Sequence, residues 1–256
     1  MTGRLAREAR LILLAAGFLT RLPVPPDPAF TPQRMAWATR WFPLVGLGIG
    51  AVVALVFWGA ALVLPVWVAA GLALAAGVRL TGALHEDGLA DVADGLGGGQ
   101  SREHALEIMR DSRIGSYGTV ALVLVLLLKA GALAHLGGAA VAALIAAHGL
   151  SRVFVVLTML RLPYARPEGK AGFASLAEIG PGGLWIVLGT GAVAALGLAV
   201  AAGPGAALSA LAAAAGVTLW IGAMLRRRLG GYTGDGLGAV QQLTEVAILL
   251  GVLAWV

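Results

Sequence analysis

Apolar residues run through this chain in long blocks, and polar residues collect in the gaps between them. Seven blocks cover residues 41–64, 66–84, 117–136, 139–160, 184–202, 206–225 and 238–256. Each is close to the ~20 residues that cross ~30 Å of hydrocarbon as a helix. Residues 4–20 read differently. Arg4, Arg7 and Arg10 leave an uninterrupted apolar stretch of about half a span, so a short helix lying in the interface or re-entering partway is expected. No small-residue cleavage site follows it; Arg21-Leu22-Pro23-Val24-Pro25-Pro26 comes instead, so the helix is expected to be retained. Five prolines within residues 23–32 make a stiff extended linker. The expected fold is all-α, a polytopic integral membrane helical bundle of about seven transmembrane helices with a short N-terminal interfacial or re-entrant helix, in one domain over residues 1–256.

The gaps between blocks set an orientation. The turns after the first, third and fifth blocks (Pro65, Gly137-Gly138 and Gly203-Pro204-Gly205) carry no charge. The N-terminal segment and the other gaps hold Arg102, Arg110, Arg113, Arg161, Arg166, Lys170 and the run Arg226-Arg227-Arg228. Charge thus alternates with the blocks. By the positive-inside rule, the N-terminus and every charged loop face the cytoplasm and the C-terminus lies outside. The glycines within the blocks are read as helix-packing positions.

Composition agrees. Hydrophobic residues make up 59% and charged residues 12%, against about 45–50% and about 25% in soluble domains. The net charge of +5 is then explained by loop cations, and no nucleic-acid partner is expected. The absence of Cys excludes disulfides, thiolate metal sites and a cysteine nucleophile.

The acidic residues are not spread evenly. Seven of 13 lie between Glu86 and Asp111. In His85-Glu86-Asp87-Gly88-Leu89-Ala90-Asp91-Val92-Ala93-Asp94-Gly95, a helix places Asp87, Asp91 and Asp94 on one face at i, i+4 and i+7. Like charges so placed repel and call for a cation. Hard oxygen ligands suit Mg²⁺, which keeps positions open for water and phosphate. His85 and Glu86 are candidate outer partners, and no His pair has zinc spacing. In a second cluster, Arg110 and Arg113 at i, i+3 can face a phosphate, and Asp111, at i+4 from Glu107, is a further candidate ligand. The third polar stretch, residues 230–238, has five glycines and Asp235. It lacks the Gly-Lys-Ser/Thr of a P-loop but permits close backbone approach to a phosphate, with Gly234 and Asp235 at its centre.

Some charges fall inside the apolar blocks. Arg152 and Glu245 lie toward the cytoplasmic end, within reach of the acidic site. Lys129 is deeper, and Arg79 can snorkel to the surface. His104, His135 and His148 are assigned no chemistry. Carboxylates, arginines and a Gly-rich loop at a membrane suit metal-assisted phosphoryl-group transfer, which asks little covalent chemistry of a protein.

Four stretches resemble the cobalamin synthases, the adenosylcobinamide-GDP ribazoletransferase family. They are Arg21-Leu22-Pro23-Val24-Pro25, the acidic block of residues 85–95, Glu107-Ile108-Met109-Arg110-Asp111-Ser112-Arg113-Ile114-Gly115, and the Gly-rich block of residues 230–239. They run nearly end to end and in family order. The resemblance implies a Mg²⁺-dependent enzyme of the bacterial cytoplasmic membrane, with its site facing the cytoplasm. A ribose hydroxyl of α-ribazole, or of its 5′-phosphate, attacks the cobinamide-bound phosphate of adenosylcobinamide-GDP. GMP leaves, and adenosylcobalamin or its phosphate forms as the last step of the nucleotide loop. On that basis Asp87, Asp91, Asp94 and Asp111 are expected as metal ligands. Arg110, Arg113, Arg152, Gly234 and Asp235 are expected to bind substrate, with His85, Asp87 and Asp91 at the chemistry. His85 or a metal-free carboxylate is expected as base. The lipid bilayer is a partner, and an oligomer is compatible with the sequence.

Two other readings fit parts of the pattern. A CDP-alcohol phosphotransferase also begins on Asp-Gly, but it has Ala-Arg where Ala90-Asp91 stands here. A cation-coupled transporter would place its charges nearer the midplane and show inverted repeats.

Overall fold

The structure, a computed structural model, describes residues 2–166 and 178–256. Lys170, counted above among the loop cations, lies outside the described residues. The helices in chain order are α1 (Thr2–Leu19), α2 (Pro32–Ala38), α3 (Phe42–Ala61), α4 (Val66–Thr81), α5 (Leu84–Gly98), α6 (Arg102–Ile108), α7 (Ser116–His135), α8 (Ala140–Arg161), α9 (Gly183–Ala202), α10 (Pro204–Leu229) and α11 (Gly234–Leu253). The all-helical membrane bundle expected from the sequence is what the described residues form.

Six helical stretches are long and apolar enough to cross a membrane, and a bent pair makes a seventh. The first stretch joins α2 and α3 through a 3₁₀ turn at Thr39–Trp41. Thr31 caps α2 by accepting the Arg34 N–H, and Pro32 starts the helix where no N–H is needed. Lipid-facing positions are large and apolar, among them Leu55, Trp58, Leu127, Trp185, Val200 and Trp220, all more than half exposed. Such surface is tolerable only against hydrocarbon. Helices α8 and α11 are the interior of the bundle, with 72% and 78% of their apolar windows buried. The glycines that let α3 meet α8 are close-approach sites: a Cβ on Gly46 would lie 2.4 Å from the His148 carbonyl oxygen.

The bent pair corrects the second apolar block. Helix α4 stops at Thr81 after 16 residues, about 24 Å. Gly82 and Ala83 then take left-handed φ values of 67° and 58°, and the chain turns by 91° into α5. The acidic helix therefore runs nearly perpendicular to α4 and does not continue it. The N-terminal motif packs on this bend. The Arg21 N–H donates to the Leu80 carbonyl at 2.8 Å, and a Cβ on Gly82 would sit 2.1 Å from Arg21 Nε. Position 82 therefore needs glycine twice, for its φ and for its space.

Helix α1 has 18 residues, close to the residues 4–20 expected. It is held against the bundle by Glu8, whose carboxylate accepts two hydrogen bonds from Arg40 at 2.8 and 2.7 Å and one from Trp41 Nε1 at 3.1 Å. Leu11, Ala15 and Leu19 are its buried stripe at i, i+4 and i+8.

Candidate active site

Three connections meet at one end of the bundle and enclose a cavity of about 500 Å³. Its polar side carries Asp87 and Asp91 from α5, Asp235 from the first turn of α11, and the guanidinium groups of Arg110, Arg152 and Arg166. His85 and Gly234 also line it. The rest of the lining is mostly apolar, with Phe18 and Leu19 from α1, Phe42 from α3, Leu84 from α5 and Val155 and Met159 from α8 among it.

Glycine brings the carboxylates together. Helices α5 and α11 cross with their backbones in contact. A Cβ on Gly88 would lie 2.8 Å from the Asp235 carbonyl oxygen, and one on Gly238 would lie 3.1 Å from that of His85. A side chain at Gly88 would push Asp235 away from α5, and one at Gly238 would press on the α5 backbone. Thr233 caps α11 by accepting the Gly236 N–H at 3.0 Å. Gly234 and Asp235 thus sit at the positive end of a 20-residue helix that opens on the cavity, a setting that favours anions. The other glycines of this stretch do structural work. Gly230 ends α10 at φ 80°, and Gly231 leaves room for the Pro163 carbonyl.

The carboxylates on α5 and α11 crowd one another. The Asp91 carboxyl is pushed up from 3.8 to about 7, first by burial and then by the like charges of Asp235 and Asp87; the Arg166 guanidinium opposes the rise. Arg166 forms an ion pair with Asp235 at 3.0 Å. It is set there by a short parallel bridge in which the Ala165 N–H donates to the Tyr232 carbonyl at 2.8 Å and the Tyr232 N–H to that of Pro163 at 2.9 Å. In the sequence Arg166 stands only among the orienting loop cations. No local spacing marks it, because its partner comes from a different loop.

Two expected metal ligands are placed elsewhere. Asp94 accepts the Gly115 N–H at 2.7 Å and the Gly118 N–H at 2.9 Å, which makes it the N-terminal cap of α7. A Cβ on either glycine would come within 2.4 Å of its oxygens. Asp111 is engaged by Arg113 at 2.6 Å in an exposed pair outside the cavity. The hydrogen bonds from Arg113 hold its carboxyl down at about 2. Of the four aspartates expected to bind metal, Asp87 and Asp91 line the cavity, and Asp235 joins them from a distant part of the chain. The donor set is all hard oxygen and places like charges close together, which fits a divalent cation. Among the described residues no three His, Asp or Glu side chains already converge at ligand distance.

Arg113 is 87% exposed and does not line the cavity, whereas Arg110 and the buried Arg152 do. Beneath the cavity floor lies a network inside the bundle. Lys129 Nζ donates to Glu245 at 2.6 Å and to Gln242 at 2.7 Å, and Gln242 donates to Glu86 at 2.9 Å. His148 reaches Glu245 at 3.2 Å, and Arg152 donates to the His148 carbonyl at 2.8 Å. Lys129 and Glu245 are therefore mutual partners that tie α7 to α11. Through Gln242 the same network holds α5.

The sequence model of the cobalamin-5-phosphate synthase family matches residues 11–253. The chain belongs to that family. It is similar over nearly its whole length to proteins called adenosylcobinamide-GDP ribazoletransferase. The one from Leptothrix cholodnii is 50% identical over 261 residues, covering 98% of each chain. That from Shewanella frigidimarina is 43% identical, covering 97% of this chain and 95% of the relative. That from Ralstonia nicotianae is 43% identical, covering 100% and 99%. No solved structure matches the chain. The four stretches that carried the resemblance fall on the cavity or its supports: the bend at Gly82, helix α5, the cap of α7 and the first turn of α11.

Proposed function

We propose that this chain transfers the phosphocobinamide group of adenosylcobinamide-GDP to α-ribazole or its 5′-phosphate, releasing GMP. The observation that carries the reading is one cavity lined by Asp87, Asp91 and Asp235 together with Arg110 and Arg166 at the N-terminus of α11. A diphosphate needs both halves of that arrangement: cations and N–H groups for its oxygens, and carboxylates to hold a metal between them.

Mg²⁺ would be held by Asp87, Asp91 and Asp235, and would supply Lewis-acid stabilisation of the charge that develops on the leaving phosphate. Arg110 and Arg166 orient the diphosphate, and Arg166 also keeps Asp235 aligned. His85 lines the cavity next to Arg152 and accepts the proton of the attacking ribose hydroxyl. That hydroxyl forms the new P–O bond while the bond to GMP breaks. The polar connections that build the cavity are those the positive-inside rule assigns to the cytoplasm, so the site opens to cytoplasmic nucleotides from the bacterial inner membrane.

The test is purified protein in liposomes, given adenosylcobinamide-GDP, α-ribazole and Mg²⁺, with GMP and the corrinoid product followed together. Metal-dependent release of GMP with cobalamin formation, lost in Asp91→Ala and with EDTA, supports the reading. A folded protein that makes neither product sinks it.

A further inference from the structure

The network beneath the cavity leaves one buried cation over. Arg152 of α8 is 1% exposed and lines the cavity. Gly46 of α3 makes room for it: a Cβ there would lie 2.6 Å from Arg152 Cδ. Its hydrogen bonds leave from Nη1, to the His148 carbonyl at 2.8 Å and, at 3.5 Å, to His148 Nδ1 and Ser151 Oγ. The Nε N–H has no partner. Among the described residues no carboxylate pairs with Arg152: Glu245 is taken by Lys129 at 2.6 Å and His148 at 3.2 Å, and Glu86 accepts from Gln242 at 2.9 Å. A buried guanidinium without a counter-ion is costly. The edge formed by Nε and Nη2 is one that can grip two oxygens of a phosphate.

We propose that Arg152 seats the 5′-phosphate of the acceptor, so that this chain selects α-ribazole 5′-phosphate over α-ribazole. The inference rests on the proposed transfer and names the group that Arg152 holds. Depth assigns this phosphate rather than the diphosphate of the donor. Val155 and Met159, about one and two turns further along α8, also line the cavity, which puts Arg152 about 10 Å deeper than Met159. The charges around the carboxylates agree. The four that act most on Asp91 are Asp235, Asp87, Arg166 and Asp94, and Arg152 is not among them. A diphosphate held at those carboxylates by a metal and Arg166 leaves Arg152 to a second anion. Size then decides which anion it is. Sites for compact small molecules run about 300–1,000 Å³, so a cavity of about 500 Å³ admits a nucleoside monophosphate whole and keeps a corrinoid at its mouth. The phosphate that reaches the floor belongs to the acceptor, and the ribose that bears it lies in the same cavity as His85 and the carboxylates.

In the liposome assay the unsubstituted chain is expected to use α-ribazole 5′-phosphate at least about 10-fold better than α-ribazole in kcat/KM, as a charge-assisted contact allows. Arg152→Gln is expected to abolish that preference. Arg152→Lys, which keeps the charge and loses the fork, is expected to retain part of it. The readout is a ratio of two acceptors on one preparation, so a merely structural role lowers both and leaves the ratio unchanged. An unchanged ratio in Arg152→Gln, or no preference in the unsubstituted chain, would overturn the subsite. GMP carries the same phosphate chemistry; if Arg152→Gln weakens inhibition by GMP as much as use of α-ribazole 5′-phosphate, Arg152 serves the leaving group and the proposal fails. If Arg152→Gln does not fold, the unsubstituted chain decides. Inorganic phosphate should then compete with α-ribazole 5′-phosphate and not with α-ribazole; competition against both or neither overturns the subsite. Equilibrium binding without donor separates this idea from the transfer reading. No turnover, but tighter binding of the phosphorylated acceptor that Arg152→Lys weakens, keeps the subsite and sinks the transfer.

Discussion

Gly88 of α5 and Gly238 of α11 meet backbone to backbone: a Cβ added at Gly238 would lie 3.2 Å from the Gly88 Cα. This contact sets the distance between the carboxylates of α5 and Asp235. Gly88→Ala would place a methyl group 2.8 Å from the Asp235 carbonyl oxygen, which is rigid backbone. Transferase activity is expected to fall at least ~10-fold, because misplacement of reacting groups by even about 1 Å costs rate steeply. Gly189→Ala meets nothing within 4 Å and is expected to leave activity within twofold and stability unchanged or slightly higher, by about 0.5–1 kcal/mol of helix propensity. Activity and melting temperature of the two variants, side by side, check the contrast.

Asp235 and the four aspartates expected to bind metal separate into two groups. Asp87→Asn, Asp91→Asn and Asp235→Asn are each expected to lower kcat/KM by about 100-fold or more, comparable to losing an electrostatic group at developing charge. Asp111→Asn breaks only an exposed pair with Arg113 and is expected to change activity less than threefold. Asp94→Ala removes both hydrogen bonds that cap α7. It should cost about 1–2 kcal/mol of stability, read as a lower melting temperature, with Mg²⁺ affinity retained. Equal loss of Mg²⁺ affinity in Asp94→Ala and Asp91→Asn would contradict this division.

The Asp91 carboxyl gives a pH dependence with a definite sign. Its value rises from 3.8 to about 7 on folding. The folded chain therefore binds a proton that the unfolded chain has lost, and metal-free stability falls as pH climbs from about 4 to about 7, then levels off. Asp91→Asn removes that slope. A cation competes with the same proton, so the Mg²⁺ concentration needed for half-maximal thermal stabilisation should rise about tenfold per pH unit below pH 7. Melting curves with and without Mg²⁺ from pH 5 to 8 measure both effects. A Mg²⁺ midpoint independent of pH would remove Asp91 from the metal site.

Lys129 and Glu245 are each about 3% exposed at the side chain and 2.6 Å apart. Breaking one partner leaves a buried charge uncompensated, at a cost of about 3–5 kcal/mol. Lys129→Met alone and Glu245→Gln alone should both lower the melting temperature. The double variant should be less destabilised than the sum of the two. A double-mutant cycle in detergent that shows simple additivity would mean the two charges do not depend on each other.

The chain by itself determined the number of apolar helices, the polar end of the bundle and the acidic face of α5, because each depends on residues close in sequence. Hydrophobic length decides a span, and the i, i+4 spacing of Asp87 and Asp91 puts both on one side of any helix that contains them. Spacing could not tell that Asp94 would turn to the N–H groups of Gly115 and Gly118, or that Asp111 would close on Arg113. A carboxylate on the right face takes whichever partner the fold brings nearest. Only the tertiary structure joined Asp235 to Asp91, put Arg166 beside it, and placed Phe18 over Phe42 at the apolar end of the same cavity. Those pairings follow from the glycine contact between α5 and α11, the bridge between Tyr164 and Tyr232, and the packing of α1 on α3. All are contacts between distant segments, and no periodicity along a single helix records them.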